Sequence, residues 1–164
     1  MLIGILSDSH GRTTMTARAV AALRERGADL LLHLGDIETP AVLDELAGHP
    51  VRLVFGNCDW DETDLSRYAR HLDLTVDHPV GQIVVGDRRI VFTHGHLEKP
   101  MQQALHEGAD YLLHGHTHEV RDERVGRTRI INPGALFRAR RYTVALLDPR
   151  RDSLDIIEVA KAVE

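Results

Sequence analysis

A chain of 164 residues is about the length of one domain and is long enough to bury a substantial core. Its net charge of −5 and its aromatic content of 4% argue against a protein whose main task is to grip a nucleic-acid backbone or to stack bases. A nucleotide is still allowed as a substrate. We therefore expect a single domain over residues 1–164 that does not bind nucleic acid stably.

The cysteine content and the N-terminal sequence indicate the cellular compartment in which the protein is expected. Cys58 is the only cysteine, so no disulfide can form within the chain, and a reducing environment suits it. The chain begins in a short apolar run without a preceding basic segment, and no stretch approaches the roughly 18 apolar residues of a membrane span. We therefore expect a cytoplasmic protein that does not associate with membranes. The sequence leaves open whether it forms a homo-oligomer.

The first half of the chain alternates strand-like runs with helix-like segments. Apolar runs predict three strands, at residues 2–6, 30–34 and 51–55. Two helices, each followed by a glycine that can end a helix, are predicted between them, at residues 13–26 and 41–47. An order of strand, helix, strand, helix, strand favours parallel crossover connections and hence an α/β fold.

Short strand-like runs predominate in the second half, with one helix predicted at residues 100–107. The predicted strands are residues 71–76, 80–85, 89–93, 111–114, 120–125, 128–131, 142–147 and 154–159. Gly86-Asp87 predicts a hairpin between two of them. About ten strands with few helices are too many for one simple parallel sheet. The predicted fold class is therefore α/β, with two packed β-sheets flanked by helices.

Five of the apolar runs end, within a residue or two, in side chains that can bind a metal. The runs lead into Asp8-Ser9-His10, Gly35-Asp36, Gly56-Asn57, His94-Gly95-His96 and His114-Gly115-His116-Thr117-His118. In open α/β sheets, ligands bind beyond the carboxyl ends of the strands, so this recurrence gathers the side chains along one rim. Each residue alone is better interpreted as a loop residue, a helix N-cap or a turn. The five endings together favour a metal site.

The candidate ligands combine carboxylate, imidazole and amide groups. This set suits manganese, iron, nickel, zinc or magnesium, and the lack of a cysteine cluster argues against a structural zinc site. Four glycines adjoin candidate ligands, where the missing side chain lets the backbone approach a metal or phosphate: Gly35, Gly56, Gly95 and Gly115. His33 and His114 precede ligand positions within their strands, so side-chain alternation points them away from the rim.

These ordered motifs resemble those of the calcineurin-like metallophosphoesterase superfamily. The short chain, the form Gly56-Asn57-Cys58-Asp59 and the later Asn132-Pro133-Gly134 are similar to its small single-domain YfcE-like phosphodiesterase branch. The resemblance spans residues 2 to about 147. It implies an αββα sandwich with two mixed sheets, and a phosphodiesterase with two divalent ions per chain. Manganese is the favoured ion, and nickel, zinc, iron and magnesium are alternatives.

The resemblance also implies a role for each motif residue. One ion would be held by Asp8, His10, Asp36 and His118. The other would be held by Asp36, Asn57, His94 and His116, with Asp36 bridging. A hydroxide bound between the two ions would attack the phosphorus of a small phosphodiester, and Asn57 with a nearby histidine would stabilise the added negative charge. His96 would either contact the substrate phosphate or stabilise its loop.

Cys58 departs from the wider superfamily, which often has a histidine there, assigned to protonating the leaving group. Cysteine is a weak hydrogen-bond donor with a reference pKa of about 8.5, so we expect a preference for good leaving groups.

The alternative function is a non-catalytic scaffold of the same fold that binds a protein partner, as a related retromer subunit does. The seven intact ligand positions favour an enzyme. The basic cluster Arg138, Arg140 and Arg141 is best interpreted as part of a solvated loop before a strand. Whether these arginines contact the substrate is left open.

Overall fold

Strands and helices alternate along residues 1–161, the part of the chain that the computed structural model describes. In chain order the elements are β1 (Ile3–Leu6), α1 (Thr13–Glu25), β2 (Leu30–His33), α2 (Pro40–Asp44), β3 (Val51–Leu53), α3 (Glu62–His71), β4 (Thr75–Val76), β5 (Val80–Val85), β6 (Arg88–Thr93), α4 (Glu98–His106), β7 (Tyr111–Leu113), β8 (Arg121–Val125), β9 (Thr128–Asn132), β10 (Thr143–Asp148) and β11 (Ser153–Glu158).

The strands form two mixed sheets. The first sheet has the order β11-β10-β1-β2-β3-β4, in which β1 to β4 are parallel and β10 and β11 are antiparallel to their neighbours. The second has the order β5-β6-β7-β9-β8, with a parallel centre from β6 through β7 to β9 and an antiparallel strand at each edge. The predicted two-sheet α/β fold is therefore confirmed.

Side-chain alternation along β6 shows how the layers pack. Ile90 and Phe92 are buried in an apolar cluster with Ile3 and Leu32 of the first sheet, so these residues lie between the two sheets. Val91, between them in sequence, points the other way and packs with residues of α4. A third apolar cluster joins α1, α2 and α3 to the outer face of the first sheet. The result is a four-layer αββα sandwich.

Helix α3 was absent from the sequence prediction, which placed no element over residues 56–70; of the strand predicted over residues 71–76, Thr75–Val76 form β4. A signal is present: the Asp61 side chain accepts a hydrogen bond of 3.1 Å from the Asp64 backbone N–H and caps the helix. Leu65 and Ala69 are buried four residues apart on one face. Helix α2 ends three residues earlier than predicted because the chain continues in tight turns, with a hydrogen bond from the Leu46 N–H to the Leu43 carbonyl. Among the described residues, no helix is long and apolar enough to cross a membrane.

Candidate metal centre

The loops after the parallel strands meet at one edge of the sandwich. The backbone N–H of Asp8, after β1, donates to the carbonyl of Gly35, after β2, at 3.0 Å. In the second sheet, the N–H of Gly115 donates to the carbonyl of His94 at 2.8 Å. His116 brings the two sheets together, because its backbone N–H donates to Asp8 Oδ2 at 3.1 Å. Loops that are distant in sequence therefore form one site.

Four predicted ligands converge at this edge, and we call them the first ligand group: Asp8, His10, Asp36 and His118. Each offers one ligand atom, and these atoms lie within 4.8 Å of one another. His10 Nε2 is 3.2 Å from His118 Nε2 and 3.4 Å from Asp36 Oδ2. Ligand atoms about 2.0–2.1 Å from one ion stand roughly 3.0–3.4 Å apart. The spacing therefore fits a single divalent ion.

The second ligand group consists of Asp36, Asn57, His94 and His116. His94 Nε2 is 3.3 Å from Asp36 Oδ2 and 3.1 Å from Asn57 Oδ1. The His116 ring lies beside that of His94, with the ring centres 5.2 Å apart. The same oxygen, Asp36 Oδ2, thus faces His10 of one group and His94 of the other. Asp36 Oδ1 is occupied differently, since it accepts a hydrogen bond of 2.9 Å from the Cys58 backbone N–H.

The hydrogen bonds of the two histidines nearest Asp36 determine which nitrogens face the site. His10 Nδ1 donates to Glu38 Oε1 at 2.6 Å, and His94 Nδ1 donates to the Leu34 carbonyl at 2.7 Å. In the neutral rings, Nε2 therefore carries a lone pair. Both lone pairs point at a carboxylate oxygen, an arrangement that is repulsive unless a proton or cation lies between. The site is built to hold positive charge.

The protonation behaviour of the site agrees with this geometry. Burial lowers the pKa of His10, but the nearby Asp8 carboxylate and the hydrogen bond to Glu38 outweigh it and raise the pKa to about 9. Burial acts to raise the pKa of Asp36, yet the hydrogen bond to His94 holds it below its ordinary value. Both effects mean that the carboxylates favour a positive charge beside them, whether it is carried by a proton or by a metal ion.

Asp8 provides a direct test of whether the residues fit a metal. Its Oδ2 accepts hydrogen bonds from the Ser7 hydroxyl and the His116 backbone, whereas its Oδ1 is buried and makes no hydrogen bond of normal geometry within residues 1–161. A buried carboxylate oxygen without a donor is costly. The atoms facing it are the imidazole nitrogens of the first ligand group, with His118 Nε2 at 3.2 Å. A cation at this point would satisfy all of them.

The backbone is strained where the ligands lie. Five of the seven predicted ligands have a positive φ: Asp8 at 55°, His10 at 43°, Asp36 at 57°, His116 at 71° and His118 at 61°. Such backbone costs about 1–3 kcal/mol for a residue other than glycine. Neighbouring glycines make room for these side chains, since a Cβ on Gly56 would lie 2.2 Å from Asp36 Oδ1. The strained backbone therefore occurs where the ligand side chains must point to a common centre.

His96 and Cys58 lie beside the two ligand groups. The His96 ring centre is 5.3 Å from that of His94, and its buried Nδ1 has no partner among the described residues. Burial, followed by the charges of His94 and His116, lowers the pKa of His96. Burial and the charge of Asp36 raise the pKa of the half-buried Cys58 thiol to about 11, so it keeps its proton at neutral pH.

His33 and His114, which alternation was expected to point away from the rim, are both buried. His33 Nε2 lies 2.7 Å from the Ser9 hydroxyl, and its Nδ1 accepts a hydrogen bond of 3.2 Å from the Gly35 N–H. His114 Nδ1 lies 3.0 Å from the Gly115 carbonyl. Both histidines therefore support the loops that carry the ligands.

Two residues that support the site were not singled out from the sequence. Asp59 is buried, and its carboxylate accepts four backbone hydrogen bonds from the loops after β2 and β3. The available signal was its place as the last residue of the motif Gly56-Asn57-Cys58-Asp59, for which no supporting role was predicted. Glu38 orients His10 through the hydrogen bond to Nδ1. No sequence pattern could indicate Glu38, because its position depends on a backbone φ of 69°.

Comparisons with known proteins agree with the fold and the motifs. Residues 1–152 match the model of the calcineurin-like phosphoesterase superfamily domain. Phosphodiesterase YfcE of Escherichia coli strain K12 is 31% identical to this chain, and the match covers 83% of this chain and 79% of YfcE. The structure of an archaeal phosphodiesterase superposes with a TM-score of 0.88 at 25% identity, covering 96% of this chain and 99% of the other. Vps29 of Chaetomium thermophilum shares the fold, with a TM-score of 0.67 at 16% identity over 96% of this chain and 95% of Vps29. The chain therefore belongs to the calcineurin-like phosphoesterase superfamily.

Proposed function

We propose that the protein is a metal-dependent phosphodiesterase that binds two divalent ions per chain and hydrolyses a small phosphodiester. The observation that carries this proposal is the position of Asp36 Oδ2, which lies 3.4 Å from His10 Nε2 and 3.3 Å from His94 Nε2. One carboxylate can serve two cations about 3.5–4 Å apart and can partly offset their repulsion. Asp36 is therefore the proposed bridging residue.

The two ligand groups define the proposed ion sites. Asp8, His10, Asp36 and His118 would hold the first ion, and Asp36, Asn57, His94 and His116 would hold the second. Oxygen and imidazole donors suit manganese best in our proposal, with nickel, zinc, iron and magnesium as alternatives. When bound, such ions supply Lewis acidity and make hydroxide available near neutral pH.

The chain's own side chains would position the phosphate. His96 presents a ring whose buried Nδ1 has no partner in the described chain, so one of its nitrogens can bind a phosphate oxygen. Asn57 Nδ2 is 3.6 Å from Cys58 Sγ, a weak contact that a substrate oxygen can replace. The Cys58 thiol is protonated but donates weakly, and we therefore propose that departing alcohols must be good leaving groups.

The net charge supports a small substrate. A chain with a formal charge of −5 does not favour the polyanionic surface of duplex DNA. A single cysteine is compatible with the cytoplasmic location that we propose. The competing function is a scaffold that binds a protein partner without hydrolysis, and the fold shared with Vps29 is the reason to keep it as an alternative.

The test uses protein stripped of metal with a chelator and reloaded separately with each of the five candidate ions. We expect hydrolysis of bis-p-nitrophenyl phosphate to exceed that of p-nitrophenyl phosphate, and Asp36→Asn to lose nearly all of it. Asp87→Asn is the matched control, because Asp87 is 93% exposed and lies outside both ligand groups. Absence of both metal binding and hydrolysis would favour the scaffold. Efficient, salt-sensitive cleavage of long duplex DNA would contradict the preference for a small substrate.

A further inference from the structure

A cleft of about 360 Å³ shares a wall with the candidate metal centre. His118, a member of the first ligand group, lines it on one side. The loop after Leu136 lines the other side and contributes three arginines: Arg138, Arg140 and Arg141. A group bound in this cleft would therefore lie beside whatever the metal centre holds.

Phe137 fixes this loop against the centre. Its ring centre is 5.2 Å from that of His10, so the loop packs directly on a predicted metal ligand. Two guanidinium groups lie over the same ring, that of Arg12 at 4.5 Å and that of Arg138 at 5.1 Å from its centre. Cation–π contacts of this kind hold arginine side chains in place without neutralising them. The loop therefore packs on the centre through Phe137, while Arg138, Arg140 and Arg141 stay exposed, as expected of the solvated loop predicted from the sequence.

The positive charge of the cleft is nearly uncompensated. Within residues 1–161, two of the arginines that line the cleft, Arg138 and Arg140, form no ion pair with a carboxylate, and the third, Arg141, approaches only Glu158, at 3.8 Å. Of the residues that the structure describes, Glu119 is the one acidic residue that lines the cleft. Gathering like charges in a chain of net charge −5 costs free energy through repulsion, so an anionic ligand is the natural counterpart.

We propose that this cleft binds a second phosphate group of the substrate, so that preferred phosphodiesters carry an additional phosphate on one ester arm. The inference deepens the proposed function and rests on it for the first phosphate, which the metal centre would hold. A guanidinium is planar and offers paired N–H donors that match phosphate oxygens. Bis-p-nitrophenyl phosphate lacks such a group and would leave the cleft empty.

The test compares the binding of thymidine 3′,5′-bisphosphate and thymidine 5′-phosphate by calorimetry with Mn²⁺ present. We expect the bisphosphate to bind about tenfold more tightly, a preference that shrinks as salt increases. The double variant Arg138→Gln/Arg140→Gln should lose this preference. The double variant Arg150→Gln/Arg151→Gln, which removes two exposed charges elsewhere, should keep it. Circular dichroism would check that both variants fold.

Equal binding of the two nucleotides to the wild-type protein, or no binding of either, would overturn the proposal. So would a preference that survives in Arg138→Gln/Arg140→Gln. Hydrolysis of the p-nitrophenyl ester of thymidine 5′-phosphate, measured in parallel, separates this inference from the proposed function. Hydrolysis without a bisphosphate preference would contradict the second phosphate site in the cleft and support the proposed phosphodiesterase activity. A bisphosphate preference that depends on the two arginines, without hydrolysis, would support the phosphate site in the cleft and contradict the proposed phosphodiesterase activity.

Discussion

The Asp59 carboxylate accepts a hydrogen bond of 2.9 Å from the backbone N–H of Asp36, the residue that faces both ligand groups. Three more backbone N–H groups, those of Gly56, Ile37 and Glu38, donate to the same carboxylate at 2.7–2.8 Å. One buried side chain therefore joins the loop after β2 to the turn after β3. Asp59 acts as a positioning residue for ligands on both.

Asp59→Asn keeps the size of the side chain and removes one of its two acceptors. The new amide would direct N–H groups at backbone N–H groups, which should lower the free energy of unfolding by about 1–3 kcal/mol. Metal affinity should fall as well, because the loops carrying Asp36 and Asn57 lose their common anchor. Urea unfolding and metal titration measure the two effects, with Asp87→Asn as the exposed control. An unchanged unfolding midpoint and metal affinity would show that the four hydrogen bonds do not position the loops.

The arrangement of the fold was largely predictable because hydrophobic periodicity determines which segments are strands. Outside the region of α3, the predicted elements lie within three residues of the observed ones. Helix α3 was absent from the prediction because its buried face is narrow, with only Leu65 and Ala69 buried within it. A narrow apolar stripe gives a weak helical pattern, although Asp61 marks its beginning.

The meeting of the ligands was predictable for a different reason, since parallel strands end at a common edge. The supporting residues were not predictable in the same way. Glu38 reaches His10 through a left-handed backbone conformation that no pattern of residue types specifies. Phe137 meets His10 across more than 120 positions of sequence, and such a contact depends on the packing of the final loop.

Changes in the two ligand groups should have separate effects on the number of metal ions bound per chain. His118 belongs only to the first group and Asn57 only to the second. We expect His118→Ala and Asn57→Ala each to reduce the metal content from two ions per chain to one, and Asp36→Asn to weaken both sites. Elemental analysis after equilibrium dialysis measures this directly. A wild-type protein with a single ion that Asp36→Asn does not affect would contradict the two-ion proposal.

His116 and His114 lie two residues apart but should differ strongly when changed to Gln. His116 belongs to the second ligand group, so His116→Gln should reduce hydrolysis by about 100-fold or more. His114 is buried beside the Gly115 carbonyl at 3.0 Å, so His114→Gln should mainly lower the free energy of unfolding, by about 1–2 kcal/mol. Activity assays and urea unfolding on the same samples compare the two. Equal losses of activity would show that the directions assigned to the His114 and His116 side chains are wrong.

Arg129 makes a pH-dependent contribution to stability that is independent of the metal centre. Its guanidinium binds both carboxylate oxygens of Asp122, at 2.8 and 2.9 Å, and that hydrogen bonding lowers the pKa of Asp122. A lowered folded-state pKa stabilises the protein above the unfolded value of about 3.9, and this stabilisation is lost as the pH falls through the folded value. Arg129→Met should therefore be less stable than wild type at pH 7, and the difference should shrink toward pH 3. Urea unfolding at both pH values tests this, and an equal difference at both would exclude the ion pair as its cause.

The thiol of Cys58 bears on how the rate of hydrolysis depends on the departing alcohol. Its thiol is a weak donor, so metal electrostatics would have to stabilise the leaving oxygen, and rates should fall steeply as the alcohol becomes more basic. Cys58→His would introduce a titratable donor with a reference pKa of about 6.5, and positioned acid–base groups contribute about 10²–10⁴-fold. The substitution leaves intact the hydrogen bond of 2.9 Å from the residue 58 backbone to Asp36, so the bridging carboxylate should stay in place. We expect Cys58→His to flatten the dependence on leaving-group pKa across a series of aryl diesters, and Cys58→Ser to leave it unchanged. Identical slopes for the wild type and both variants would mean that Cys58 only packs beneath the site, because a residue that assists the departing oxygen must alter how the rate depends on its basicity.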